Sequence, residues 1–242
     1  MSSFIPNILS VVIIANFILS VLILARGFRS SVNWIFGFLA LGSAAWSIGI
    51  MGFYFSNFLN IEHIWVIMTH LSASFIALMF LYFSLSFPNQ LPRSKIVAIL
   101  PLIPFLVILY YLLNTDFIVG NAEGIYYKIN DGYLFYSIYI TSYFLIGYVS
   151  LWYQRNFSTD LKQKQQILYI FLGAIITSGF GSLTNLIFPY LGIFNYTWLG
   201  PIFTFFLVAS IAVAILKHNL FNIKVIGTEV LIFLLWIFCQ LI

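Results

Sequence analysis

A histidine inside an apolar run is the most prominent residue in this chain that could do chemistry. His70 lies in IWVIMTHLSASFIALMF, and Ser74 follows it by one helical turn. A neutral imidazole in such a run either links neighbouring helices by hydrogen bonds or binds a ligand in a pH-sensitive way. His63 lies two turns away, but no cysteine or third histidine accompanies the pair. We therefore predict no metal site.

Further polar and amphipathic residues lie near the ends of other apolar runs. Trp46 projects from a run of small residues, and Asn185, Asn195 and Tyr196 lie toward one end of later runs. These side chains could converge with His70 in a cavity, and interhelical packing is the alternative interpretation of each of them. At the mouth of this cavity we predict the side chains of Tyr126, Tyr127, Lys128 and Tyr133.

The apolar runs lack the residues that most membrane chemistry requires. None of the seven leading runs has an Asp, Glu, Lys or Arg in its middle. Ion-coupled transporters, proton pumps and voltage sensors need such charges near the midplane. A retinal Schiff base needs a lysine inside a span. The Ser-His pair, the paired aspartates and the HExxH helix of intramembrane proteases are also missing. We predict that this chain is not an enzyme and holds no cofactor.

The composition indicates which elements position these residues. Of 242 residues, 62% are hydrophobic and only 7% are charged, whereas soluble proteins have about 25% charged residues. Aromatic residues make up 20%, which suits the interfacial belts of a membrane protein. The predicted fold class is all-α, an integral membrane bundle.

Charges, prolines and Gly-Asn clusters divide the chain into segments long enough to span a bilayer. The predicted spans are Ile5–Ala25, 32–55, 64–87, 96–113, 134–153, 167–186 and 198–216. An eighth apolar run, 225–242, reaches the last residue without a polar tail. We predict a seven-helix sensor domain over residues 1–224 and a truncated eighth segment in a longer protein.

The basic residues set the predicted orientation. Nine of the ten lysines and arginines lie in alternate connections, with Lys128 as the exception. Because cytoplasmic loops are rich in these residues, we predict an N-terminus outside the plasma membrane. The connection after the fourth span contains GIYYKINDGYLF, two β-rich runs around Asn130-Asp131-Gly132. This pattern predicts a small extracellular hairpin that turns at those three residues and caps the bundle.

Several stretches resemble the N-terminal seven-transmembrane sensor domain of bacterial and archaeal histidine kinases. They are FFLVASIAVAILKHNLFNIKVI, SLSFPNQ, DLKQKQQILYIFLGAIIT and the pattern around Trp46. The resemblance extends over most of residues 5–224. It implies a receptor that passes an extracellular or intramembrane signal to a cytoplasmic kinase, whose phosphoacceptor histidine box and ATP lid are missing from this sequence.

The resemblance also implies where the signal leaves the bundle. The exit motif follows the seventh span, and its residues form the predicted output joint: Lys217, His218, Leu220, Phe221 and Asn222. The expected partners are the lipid bilayer, an unknown small ligand or membrane signal, and a second copy in the full-length parent; no nucleic acid is expected. A protein that handles small solutes or lipids, and a structural membrane subunit, are the alternatives.

Overall fold

The computed structural model describes residues 4–27, 30–55, 61–88, 94–123, 126–204, 206–207 and 210. Its main helices are α1 (Phe4–Gly27), α2 (Ser31–Phe55), α3 (Glu62–Ser86), α4 (Lys95–Ile99), α5 (Leu102–Asn114), α6 (Tyr133–Phe157) and α7 (Leu161–Ser182). A π-helix (Leu183–Ile187) and the short α8 (Phe188–Tyr190) continue α7, and residues 199–204 are helical. Two strands, β1 (Val119–Glu123) and β2 (Tyr126–Ile129), connect α5 to α6.

The predicted class, a helical membrane bundle, is confirmed. Within the described residues, six helical stretches are long and apolar enough to cross a membrane. They correspond to the first six predicted spans. The helical residues 199–204 begin the seventh, whereas its end, the output joint and the run 225–242 lie outside the described residues.

The central helices are α2 and α3, and the edge of the bundle is formed by α4 and α5. Of the most apolar window in α2, 67% is buried, against 11% in Lys95–Asn114. Helix α2 packs on α1 and α3, and α3 also packs on α6. Small residues allow the close approach of α2 to α3. A Cβ atom added at Gly49 would lie 2.7 Å from Thr69 Oγ1 and 3.1 Å from the Thr69 backbone nitrogen.

Helix α6 meets its neighbours through hydroxyl groups instead. Tyr136 donates to the carbonyl oxygen of His70 at 3.1 Å, and Tyr139 donates to that of Ser74 at 3.0 Å. Tyr143 donates to the carbonyl oxygen of Pro101 at 2.6 Å. The three tyrosines share one face of α6 because they recur at helical spacing. Long side chains therefore join this part of α6 to α3 and to Pro101.

Contacts at the two ends of the bundle define its sides. The hairpin lies beside the segment after α8, because the rings of Tyr127 and Phe194 are 4.8 Å apart. The hydroxyl of Tyr54, near the end of α2, lies 3.3 Å from Thr197 Oγ1 on the same side. At the other end, the Gln154 amide of α6 donates to the carbonyl oxygen of Ser84 in α3 at 2.6 Å.

The hairpin exists, but the predicted turn is wrong. The strand containing Tyr126 and Tyr127 pairs antiparallel with the preceding β1, with Glu123 opposite Tyr126. The chain therefore reverses before β2 and not at Asn130-Asp131-Gly132. Those residues lead directly into α6, whose first residue is Tyr133. The apolar run that follows Gly132 is the first turn of a membrane helix and not a second strand.

Two predicted spans differ in their details. The fourth is interrupted at Leu100 and Pro101, so that α4 and α5 are separate helices. Pro101 has no amide hydrogen to donate, which accounts for the break. The sixth span is longer than predicted, because its helical stretch continues through the π-helix to Tyr190.

Candidate ligand-binding cavity

A cavity of about 80 Å³ lies inside the bundle, between α2, α3, α6, α7 and the later residues Thr197, Thr204 and Leu207. Its walls are mainly apolar, with phenylalanine, leucine, isoleucine and alanine side chains. The polar or amphipathic residues of the wall are Ser43, Trp46, Thr69, His70, Tyr127, Tyr136, Thr177, Ser178, Ser182, Asn185, Thr197 and Thr204. Among the described residues, none that lines the cavity is an Asp, Glu, Lys or Arg. Such walls suit an uncharged occupant.

His70 is fixed in a defined orientation in this wall. Its side chain is buried, and Nδ1 lies 2.8 Å from the carbonyl oxygen of Val66. A carbonyl oxygen can only accept a hydrogen bond, so Nδ1 carries the hydrogen. In the neutral ring the other nitrogen, Nε2, is then a hydrogen-bond acceptor.

Three tyrosine rings surround the imidazole. The centroids of Tyr127 and Tyr136 each lie 5.2 Å from that of His70, and that of Tyr133 lies 6.0 Å away. The Tyr127 ring meets the imidazole edge to face, at 88°, an arrangement that aromatic pairs prefer. Burial raises the pKa of Tyr127 above its ordinary value, so this phenol is neutral. The hairpin thus places the neutral ring of Tyr127 against His70.

Asn185 reaches the cavity from the π-helix Leu183–Ile187. Single π turns inside α-helices are common at functional sites. The hydroxyl of Tyr133 lies 3.0 Å from the carbonyl oxygen of Asn185 and 3.3 Å from that of Leu186, and it donates to them. The Asn185 amide donates to Thr184 Oγ1 at 2.9 Å. A Cβ atom added at Gly200 would lie 2.0 Å from Asn185 Nδ2, so a larger residue there would displace this side chain.

Trp46 has a buried hydrogen-bond donor that no described residue pairs with. The residue is 7% exposed and lines the cavity. Its indole N–H has no hydrogen-bond partner within the described part of the chain. Leaving such a group unpaired costs about 1–3 kcal/mol.

The other predicted site residues lie away from the cavity wall. Asn195 and Lys128 are exposed on the hairpin side of the bundle. Tyr126 is 54% exposed and contacts Phe194, and Tyr196 is 49% exposed and contacts Phe188. Tyr133 is fully buried behind His70. The structure thus brings Trp46, His70, Tyr127 and Asn185 together, and their binding role stays a prediction.

Several hydroxyl residues of the wall were missed as site residues. Ser178 and Ser182 line the cavity together with Ala174, although their four-residue spacing indicates only a packing face. Tyr136 was missed too, and its signal was the recurrence of tyrosine at 133, 136, 139 and 143. A run of tyrosines on one face of a membrane helix indicates a hydroxyl-rich interface.

Six helical stretches long and apolar enough to cross a membrane, packed around a cavity that no described charged residue lines, indicate a multi-pass membrane protein. The family described as the N-terminal 7TM region of histidine kinase matches residues 8–224, so the chain belongs to that family. The resemblance found in the sequence is therefore confirmed. This region of histidine kinases is a sensor domain and not the catalytic one. No curated protein and no solved structure matches the chain.

Proposed function

We propose that this chain receives a signal in its cavity and passes it to a cytoplasmic kinase domain that it does not itself contain. The family supports a sensory role. The observation that carries the proposal is the cavity, which no described charged residue lines and whose walls come from several different helices. A ligand that fits one arrangement of these helices better than another shifts the population toward that arrangement.

Helix α6 provides a physical route from the cavity to the opposite end of the bundle. Tyr136 lines the cavity and bonds to α3 at His70. About five turns further along α6, Gln154 bonds to α3 at Ser84. A shift of α6 against α3 therefore changes both ends together. From there the signal would leave through the predicted output joint, Lys217 to Asn222, in a dimer of the full-length kinase.

We place the hairpin outside the cell and the N-terminus on the same side. The described basic residues Lys95, Lys162 and Lys164 begin helices at the end opposite the hairpin, which suits a cytoplasmic face. Single cysteines at Asn121 and Gln163, with Cys239 replaced by alanine, test this placement. An impermeant thiol reagent on intact cells should label Asn121→Cys only, and labelling of Gln163→Cys alone would reverse the orientation.

The sensory proposal is tested by matched substitutions in the full-length kinase. His70→Phe and Asn185→Leu change the cavity wall, whereas His63→Phe and Asn195→Leu make the same chemical changes at residues that do not line it. We expect the two cavity variants to change basal autophosphorylation in membrane vesicles about fivefold or more, a typical coupling between sites.

The two control variants should keep the parent rate. Equal rates in all four variants and the parent, with normal insertion, would contradict a role of the cavity in signalling. Equal changes in the cavity and control variants would show a general effect on folding and would count against it as well.

A further inference from the structure

Most hydroxyl groups of the cavity wall already donate their hydrogen to a carbonyl oxygen of the chain. Thr69 donates to the carbonyl oxygen of Trp65 at 2.8 Å, and Thr177 donates to that of Phe203 at 2.7 Å. Four others likewise donate to carbonyl oxygens of the chain: Ser43, Tyr136, Thr197 and Thr204. A hydroxyl has one hydrogen but two lone pairs. The oxygens of these residues can therefore only accept from an occupant.

The imidazole of His70 adds an acceptor to this pattern. Its Nδ1 donates to Val66, so Nε2 is an acceptor. The indole N–H of Trp46 is buried away from contact with an occupant. The described wall thus offers mainly acceptors, and its complement is an uncharged group that donates a hydrogen bond, as a hydroxyl does.

The size of the cavity and its apolar surface limit the rest of the occupant. Its volume is about 80 Å³. A single water needs about 10–15 Å³ on this measure, and a cavity of about 150 Å³ holds benzene. The space therefore suits about three to six non-hydrogen atoms. Phe53, Phe80 and Phe144 line it and favour an aliphatic chain over further polar groups.

We propose that the cavity binds a small uncharged alcohol, whose hydroxyl donates to acceptors of the wall such as His70. The aliphatic part lies against the phenylalanines. This inference deepens the proposed sensory role, because it names the chemistry of the ligand. Its test measures binding and not kinase output, so that either proposal can fail while the other holds.

The experiment uses 1-butanol and its isomer methyl propyl ether as probes. Both have the same atoms and nearly the same volume, but only the alcohol can donate a hydrogen bond. The chain is labelled with 5-fluorotryptophan, placed in lipid nanodiscs and titrated while ¹⁹F resonances are recorded. Trp46→Phe identifies the Trp46 resonance, and the other five of the six tryptophans report general partitioning into lipid.

We expect 1-butanol to shift the Trp46 resonance saturably, at concentrations where the ether leaves it in place. His70→Phe should weaken the alcohol affinity about tenfold, as expected for one lost hydrogen bond, and His63→Phe should leave it unchanged. Three results would overturn the proposal: the Trp46 resonance does not move, it moves equally with both isomers, or it moves in proportion to the other tryptophans. Each of them is compatible with a cavity that holds water alone. Unchanged affinity in His70→Phe would also overturn it. If 1-butanol binds saturably but His70→Phe and Asn185→Leu leave the autophosphorylation rate unchanged, the sensory role is overturned and the alcohol site is not.

Discussion

Helix α3 has two interfaces that are built in opposite ways. Toward α2 the contact is made by small residues, and at Gly49 the two backbones come so close that a methyl group would collide with Thr69. Toward α6 the half of the contact near the hairpin is made by tyrosines, whose hydroxyls reach the carbonyl oxygens of His70 and Ser74, and a close glycine contact, Gly147 with Phe80, lies nearer the other end. Both solutions occur in membranes, where apolar side chains gain little by leaving lipid.

The difference matters for a protein that must change its arrangement. Close packing of small residues has one good geometry, because dispersion contacts fall off steeply with distance. A tyrosine hydroxyl can keep its hydrogen bond through a modest rotation or slide. We infer that α2 and α3 form the fixed part of the sensor and that α6 is the part that moves against it. The cavity lies where the two parts meet.

The largest expected effect comes from breaking the fixed interface. In Gly49→Leu, the new side chain forces α2 away from Thr69, and overpacking of this kind costs about 3 kcal/mol. We expect a clear fall in the thermal unfolding midpoint of the purified chain in detergent. Gly179→Leu is the matched control, because a Cβ atom at Gly179 meets nothing within 4 Å. If Gly49→Leu were as stable as Gly179→Leu, the interface would not be as tight as the structure has it.

The sequence predicts the spans well because the bilayer makes their signal simple. A run of about 20 apolar residues without charges has no other common structure. The interruption at Pro101 and the π-helix Leu183–Ile187 were not predicted. A π turn has the same composition as an α turn, and only contacts such as that of Tyr133 with Asn185 and Leu186 distinguish this segment.

The hairpin shows where local patterns mislead. Strand β1 has the sequence VGNAE, which is poor in β-branched and aromatic residues. It forms a strand because β2 pairs with it, and such pairing is not visible in a local window. The β-rich residues after Gly132 belong instead to α6.

The cavity was predictable only in part. Trp46, His70 and Asn185 are conspicuous in apolar runs, and all three line the cavity. Asn195 and Tyr196 looked equivalent, but they lie in a turn that directs them to the surface. Which side of a turn faces inward depends on its backbone geometry and not on residue type.

A smaller effect separates the movable interface from the cavity itself. Tyr136→Phe and Tyr139→Phe each remove one hydroxyl from the α3–α6 interface and leave the ring in place. Each should cost about 0.6 kcal/mol, a typical value for a hydrogen bond between membrane helices. Their unfolding midpoints should therefore be nearly equal, and both close to that of the parent chain. Only Tyr136 lines the cavity, so only Tyr136→Phe should change the 1-butanol affinity in the ¹⁹F titration. If Tyr139→Phe changed that affinity as much, both hydroxyls would affect the cavity only by setting the position of α6. That result would contradict a direct role of Tyr136 in the cavity wall.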